Sequence, residues 1–596
     1  MNSFLGRISK STPFRIEGGP FHRDGDIAVF FRGYIANSAA VAETCGVPVV
    51  REDTARLFLA AYRRWGRDLQ RHVLGEYALA VMDVADGKLL LTQDGVGTRP
   101  LFVADLAGRI VFASHLHLMV DELPALRIDE AYLMDHLRMS RHLGLRSPFR
   151  DVTRLIGGET LEWSKGELRR TRIWSLAGVR PIARRSEGEY EEEFRSLLNE
   201  AVQSAAPCGS KIWMELSGGL DSSSIASVAA RQSLPAEAVS LIFSQTPSVD
   251  ERPWMRKVIE RYGLTWNTFD CEQLLPFSCW PNEPFGEPNL SICTFAYIRA
   301  QHNAAAQRGV SVIFSGNGGD HVLLGDKVSP VFLADDLLRG RFASLNRGIR
   351  SWQRESIPTR PYRVLLGQEA VGPALDRLRG RTIRNGADLP LPSYLHPDQV
   401  RRYRLKDRTR TIAGVPSPTA GGQHFAERVR EASVLLSMNV NQYRDAVEIR
   451  YPLLYRPLVE FMYAIPWNRK LEPGSDRLLH RRAMAGILPE AVRRRVTKAS
   501  IAEPCIKGLK AGGTNLLAEL TENSRLVHYG LVDESAWRKA VNLAIHGMVD
   551  GLSQFMAAVS AEIWLQQIEG AFSRKALSGG GQEQACQPLA LQKQRD

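Results

Sequence analysis

Cysteine is scarce and unpatterned: seven occur in 596 residues, at positions 45, 208, 271, 279, 293, 505 and 586, with no CxxC pair. That spacing excludes a regular zinc-ligand set and a disulfide framework, and it fits free thiols in a reducing compartment. Long apolar runs are missing too. No stretch approaches the ~20 apolar residues of a spanning helix, and the opening MNSFLGRISK has no apolar core of a secretory signal. A cytoplasmic protein with no membrane partner is expected. Basic residues outnumber acidic ones, 77 to 65, for a net charge of +12. The arginine runs, RRYRLKDRTR (401–410) and RRR (493–495), are scattered and lack the interleaved aromatics of a nucleic-acid stripe. No nucleic-acid partner is expected, and the surplus charge suits an acidic or nucleotide ligand equally well.

What is present is a globular composition, 44% hydrophobic and 24% charged, over a length that suits two or three domains. Residues 1–175 alternate short apolar strands with turns. ALAVMDV and KLLLTQD, joined through Ala85-Asp86-Gly87, form a hairpin signal. DTARLFLAAYRRWG has helical periodicity with Asp53 placed as its cap. This reads as an antiparallel-rich α+β domain. A linker rich in glycine, proline and charge follows, SLAGVRPIARRSEGE (175–189). Over 190–570 strands and helices alternate at first, then helices dominate. Strands KIWMEL, AVSLIFS, TWNTFD and VSVIFSG with helices between them imply a parallel, doubly wound sheet that binds ligands at its carboxyl edge. The tail from 577 to 596 has the composition of a disordered segment.

Two glycine-rich turns directly follow such strands: Ser217-Gly218-Gly219-Leu220-Asp221-Ser222-Ser223 and Ser315-Gly316-Asn317-Gly318-Gly319-Asp320. The first lacks the lysine of a Walker turn. It fits instead the pyrophosphate loop of enzymes that cleave ATP between its α and β phosphates. Amides and hydroxyls there can hold pyrophosphate, and Asp221 is placed for a magnesium ion. The plain alternative is a glycine-serine turn that caps a helix.

Over nearly its full length the chain resembles the asparagine synthetase family. RGYIAN and the segment from DTARLFLAAYRRWG to DGVGTRPLF are similar to that family's glutaminase domain, of Ntn-hydrolase type. SGGLDSS, SGNGGD, YRDAVEIRYPLLYRPLVEFMYAIP and LLHRRAMAGILPEAVRRRVTK are similar to its ATP-pyrophosphatase-type synthetase domain. The resemblance implies adenylation of a carboxylate by ATP and displacement of AMP by an amine, leaving an amide. The family's glutaminase nucleophile is a cysteine after the initiator methionine. Here Asn2 stands at that position, and an amide cannot supply a thiolate. Members with this change use an amine of the substrate itself: β-lactam synthetases and lasso peptide cyclases. Asn317 matches the GNGGD of the lasso cyclases better than the glutamate or tyrosine of the other members. The resemblance therefore implies a macrolactam synthetase that joins an Asp or Glu side chain of a ribosomal precursor peptide to its N-terminal amine. A leader protease and a leader-recognition element are the partners it implies. Alternatives are an ammonia-dependent asparagine synthetase or β-lactam synthetase, a tRNA-modifying enzyme, and a non-catalytic scaffold.

On that reading ATP lies on Leu216, Ser217, Gly218, Gly219, Leu220, Asp221, Ser222, Ser223, Ser315 and Gly316, with Phe243 and Ser244 of the strand end Ser240–Ser244 and the backbone of Leu216 and Gly316 beside the adenine and ribose. Mg²⁺ is expected between Asp221 and Asp320. Three side chains are expected at the chemistry: Glu448 as acceptor of the amine proton, Asn317 as an orienting group, and Lys498 against the charge of the adenylate. For Glu448 the competing reading is a buried ion pair with Arg450 or Arg444. For Lys498 it is a surface lysine, with Arg495 taking the role.

Overall fold

The computed structural model describes residues 3–9, 15–48, 53–139, 144–183, 186–325, 329–355, 359–381, 390–406, 417–442, 447–473, 476–511, 513–577 and 592–593. Asn2 and Arg444 lie outside them, as does the tail apart from residue 577 and a two-residue strand, Gln592–Lys593.

The front part is a sandwich of two sheets, one of five strands and one of six. The expected hairpin is there: Gly75–Asp83 pairs antiparallel with Lys88–Gln93. Alternation sorts its side chains. Ala78, Ala80 and Met82 join Phe4, Val103 and Phe112 in the core between the sheets. Tyr77, Leu79 and Val81 face the other way, onto the helix Thr54–Trp65. Asp53 caps that helix by accepting from Arg56 N at 2.9 Å. The outer face of the five-stranded sheet is covered by Glu130–Leu137 and by Leu552–Leu577, a helix from the far end of the chain. Part of the front domain's apolar surface is therefore buried by the rear one.

The rear sheet runs Glu448–Arg450, Val310–Phe314, Lys211–Glu215, Ala236–Ile242, Trp266–Asp270, all parallel, with Gln592–Lys593 antiparallel at the edge. Ile212 and Met214 pack on one layer of helices and Trp213 on the other. From the central strand Lys211–Glu215 the chain winds outward through two strands. It then returns to place Val310–Phe314 on the other side. That reversal is the topological switch point of the sheet, where strand ends part and leave a crevice. The two glycine turns follow the two strands that flank it. A capping box of Ser186 and Glu189 starts the helix Glu187–Ala205 that leads into this domain. Beyond residue 330 the described chain is almost wholly helical.

Candidate functional site

The first turn ends in the helix Leu220–Arg231, whose N-terminal residue Gly219 makes no side-chain cap. The opening amides are thus left for a ligand. Gly218 has φ +69°, and a Cβ there would sit 2.8 Å from the Trp254 Cβ, so only glycine fits. The loop is braced from within: Ser217 and Ser222 hydroxyls lie 3.0 Å apart, and Ser217 N donates to Ser222 Oγ at 3.2 Å. The second turn packs directly on the first. A Cβ on Gly319 would fall 2.5 Å from the Asp221 carboxylate carbon. Two glycine turns, each stripped of side chains, bring Asp221 and Asp320 together.

A cavity of about 670 Å³ opens over both turns. Ser217, Gly219, Leu220, Asp221, Ser222, Ser315, Gly316, Asn317, Asp320 and Lys498 all line it. Next to it lies an apolar cavity of about 310 Å³, lined by Leu216, Val239, Phe243, Met255, Tyr297 and Ile501 among others. Glu215 and Ser217 border both. An apolar cavity bordering an amide-rich, charged chamber suits a nucleoside triphosphate.

Four expected residues are placed otherwise. Gly218 lines neither cavity; its carbonyl accepts from Arg495 Nη1 at 3.2 Å. Ser223 is fully buried in the body of its helix, one position past the open turn. Ser244 lies past the strand end and is exposed, with its N–H and hydroxyl turned to Asp270. Glu448 is absent from the lining of both cavities. It sits at the start of its strand, level with Val312 and below the turn. There it accepts from Arg99 Nη2 at 2.9 Å and Arg450 Nη2 at 2.8 Å. Burial alone would push its pKa up, but Arg450 and Arg99 outweigh it and hold the carboxyl down at about 2. A carboxylate so held is a poor proton acceptor. This geometry supports the ion-pair reading, with Arg450 as its chief partner and Arg99 of the front domain as its second.

Lys498 reaches the site as expected: its Nζ lies 3.0 Å from Asp320 Oδ2, on a side chain that is three-quarters exposed. Arg495 is committed elsewhere, to Gly218 O, to the Glu251 carboxylate and to the face of Trp254. Three further groups carry no clear sequence signal. Arg477 donates to both Asp221 and Asp320, and also pairs with Asp476. It does so from a left-handed conformation, φ +53°. His480 is buried, 2.8 Å from Ser224 Oγ and 3.6 Å from Asp221 Oδ1. Burial keeps it neutral, helped by Arg477 and Arg481. Glu215, at the junction of the cavities, has its pKa raised, above all by burial.

Burial also raises the Asp221 pKa, although Arg477 pulls it down. For Asp320 burial pushes the same way, and Arg477 with Lys498 reverses it to a net lowering. Asp221 Oδ1 is buried and has no hydrogen-bond partner among the described residues. Two hard carboxylates, one with an orphaned oxygen, beside an anion-binding helix start fit a magnesium ion. Among the described residues no group of three or more His, Cys, Asp or Glu forms a ready cage. Such an ion would keep water or phosphate oxygens, as magnesium does.

The asparagine synthase family profile matches residues 193–566, and a glutamine amidotransferase domain profile matches residues 18–174. The chain belongs to the asparagine synthase family. Membership places it among ATP-dependent ligases that form amide bonds. The front domain has the Ntn-type fold, and the rear one carries the parallel sheet of the synthetase. Relatives include the "Putative asparagine synthetase (glutamine-hydrolyzing) 2" of Methanocaldococcus jannaschii, 24% identical over 50% of this chain. That match spans 59% of the relative's own length. "Asparagine synthetase (glutamine-hydrolyzing) 3" of Bacillus subtilis is 22% identical over 74% of this chain and 69% of its own. "Amidase chyE" of Penicillium rubens is 23% identical over 90% and 85%. No described helix is long and apolar enough to cross a membrane.

Proposed function

We propose that the protein is a lasso peptide macrolactam synthetase. It takes a ribosomal precursor peptide, adenylates an Asp or Glu side chain with ATP, and closes an isopeptide bond with the peptide's N-terminal amine. In the first step a carboxylate oxygen attacks the α-phosphorus and pyrophosphate leaves. In the second the amine attacks the acyl carbon and AMP leaves, with one proton lost from nitrogen. A leader protease and a leader-recognition element would supply the trimmed peptide.

The observation that carries this reading is a pair of asparagines. Asn2 stands where the family's glutaminase holds its cysteine, so glutamine is not the nitrogen source. Asn317 lines the cavity where other members carry glutamate or tyrosine. Cys45, the nearest cysteine in sequence, offers no substitute: it ends a front-domain helix, and burial raises its thiol pKa.

The chain's own groups divide the work. The apolar slot with Phe243 takes the adenine, and the amides at Gly219–Ser222 hold pyrophosphate as it leaves. Asp221 and Asp320 would hold Mg²⁺, which when bound offsets phosphate charge. Lys498 meets the negative charge that gathers on the adenylate.

The names of the relatives favour a second reading, asparagine synthesis, for which the Asn2 change would leave ammonia in place of glutamine as the nitrogen source. ATP consumption with a linear core peptide, against consumption with aspartate and ammonium, separates the two. Loss of one water from the peptide mass supports the first. Asparagine formation at a higher rate supports the second.

A further inference from the structure

Charge is unevenly spread around the larger cavity. Asp221, Asp320, Asp476, Arg477, Arg481, Arg495 and Lys498 belong to the glycine turns or to the 476–498 segment, His321 follows the second turn, and Glu215 and Glu251 stand where the larger cavity meets the apolar one. Another stretch of the lining is neutral throughout. Ala432, Leu435, Leu436 and Asn439 recur at helical spacing, so they form one face of the helix Ala420–Gln442. Asn289 and Ser291 join them from the turn Leu290–Ile292. The charged neighbours on that helix are turned to other work: Arg428 donates to the Asp320 carbonyl, and Glu431 faces His321 at 3.5 Å.

The polar members of this face are locked together. Asn439 Oδ1 accepts from Asn289 Nδ2 at 3.0 Å and lies 3.1 Å from Ser291 Oγ. Asn289 Oδ1 in turn accepts from Ser291 N at 2.9 Å and caps the turn. With its oxygen so occupied, the Asn439 amide keeps two N–H donors that have no partner among the described residues, at a position lining the cavity. Fixed amide donors beside leucine side chains match peptide groups, which are polar, uncharged and spaced by side chains. They do not match a free α-amino acid, which would bring an ammonium and a carboxylate into a wall with no countercharge. Burying such charges unpaired is costly.

We propose that Asn289, Ser291 and Asn439, with Leu435 and Leu436 beside them, form a peptide-backbone site that admits a carboxylate borne on a peptide and rejects a free α-amino acid. This deepens the reading above and rests on its adenylation step, though not on ring closure.

ATP–pyrophosphate exchange tests it with the full-length protein. The probes are a pool of short peptides, N-acetylated and C-amidated, each with one Asp or Glu, against free L-aspartate and L-glutamate. Exchange is expected with the pool and not with the free amino acids. In Asn439→Leu the KM for an active capped peptide should rise about tenfold, while the KM for ATP stays unchanged. Ser291→Ala, a smaller change, should move the same constant in the same direction. Exchange driven better by free aspartate or glutamate overturns the proposal. So does a pool that drives none while ATP still binds, or an Asn439→Leu enzyme with wild-type peptide KM. Ring closure is read separately, with the same peptides left free at the N-terminus. Peptide-driven exchange without loss of water would refute the macrolactam reading and leave the peptide site standing.

Discussion

Asp221 and Asp320 share one guanidinium nitrogen of Arg477, which lies 3.0 Å from Asp221 Oδ2 and hydrogen-bonds Asp320 Oδ1. The two carboxylates repel, and the Arg477 charge relieves them before any ligand binds. A bound magnesium ion would offset the pair's charge in its turn, leaving Arg477 available to pair with phosphate. Arg477→Met should lower ATP–pyrophosphate exchange by about a hundredfold or more, and Asp320→Asn should do the same. Both enzymes should remain folded by circular dichroism. Wild-type exchange in Asp320→Asn would remove that carboxylate from the metal site.

Glu448 is predicted to act on stability across the domain interface rather than on proton transfer. Its ordinary pKa of 4.5 falls to about 2 in the folded chain. A carboxyl made more acidic by folding stabilises the protein above its unfolded range and loses that contribution as pH drops from about 4.5 towards 2. The shift corresponds to about 3 kcal/mol near neutral pH. Glu448→Gln should therefore lower the unfolding midpoint at pH 7, and the gap from wild type should close on acidification. Denaturant melts at several pH values check this. A variant with unchanged melting and abolished cyclisation would restore the catalytic role.

The contrast between Glu448 and Asp221 shows what the chain made legible. Asp221 is announced by local chemistry: a strand, two glycines and a helix start within one run of residues. The parallel sheet was legible for the same reason, because alternation and helix spacing are local. For Glu448 the sequence offered the ion pair with Arg450 as the competing reading, and what it could not show is the second arginine, Arg99, 349 residues away in another domain. Arg477 gave no signal, since neither its left-handed backbone nor its reach to two distant turns is encoded nearby. Ser223 and Ser244 failed on a finer point. A motif names a run of residues, but helix and strand geometry turn only some of them to the cavity.

Glutamine is expected to be inert. On the proposed reading Asn2 stands where a thiolate is needed, and the front domain's core and shared helix Leu552–Leu577 give it a structural task. Glutamate release from glutamine should stay at the level of buffer. Release that saturates with glutamine would show that another group supplies the nucleophile.

Lys498 and Arg495 are both cations near the first glycine turn, and their surroundings assign them different work. Arg495 is buried between Gly218 O, Glu251 and Trp254, so it shapes the loop that holds the phosphates. Lys498 is mostly exposed, with an ionic contact at Asp320, and its long stem lets the ammonium follow charge as it develops. Arg495→Met should leave the half-buried Glu251 without its arginine, weaken ATP binding and lower the melting temperature. Lys498→Met should leave folding and ATP affinity near wild type and cut kcat by a factor of about a hundred to a thousand, the loss typical of one preorganised charge at a transition state. Single-turnover cyclisation alongside ATP titration separates the two patterns. If Lys498→Met keeps its kcat while Arg495→Met loses only kcat, the transition-state charge belongs to the arginine.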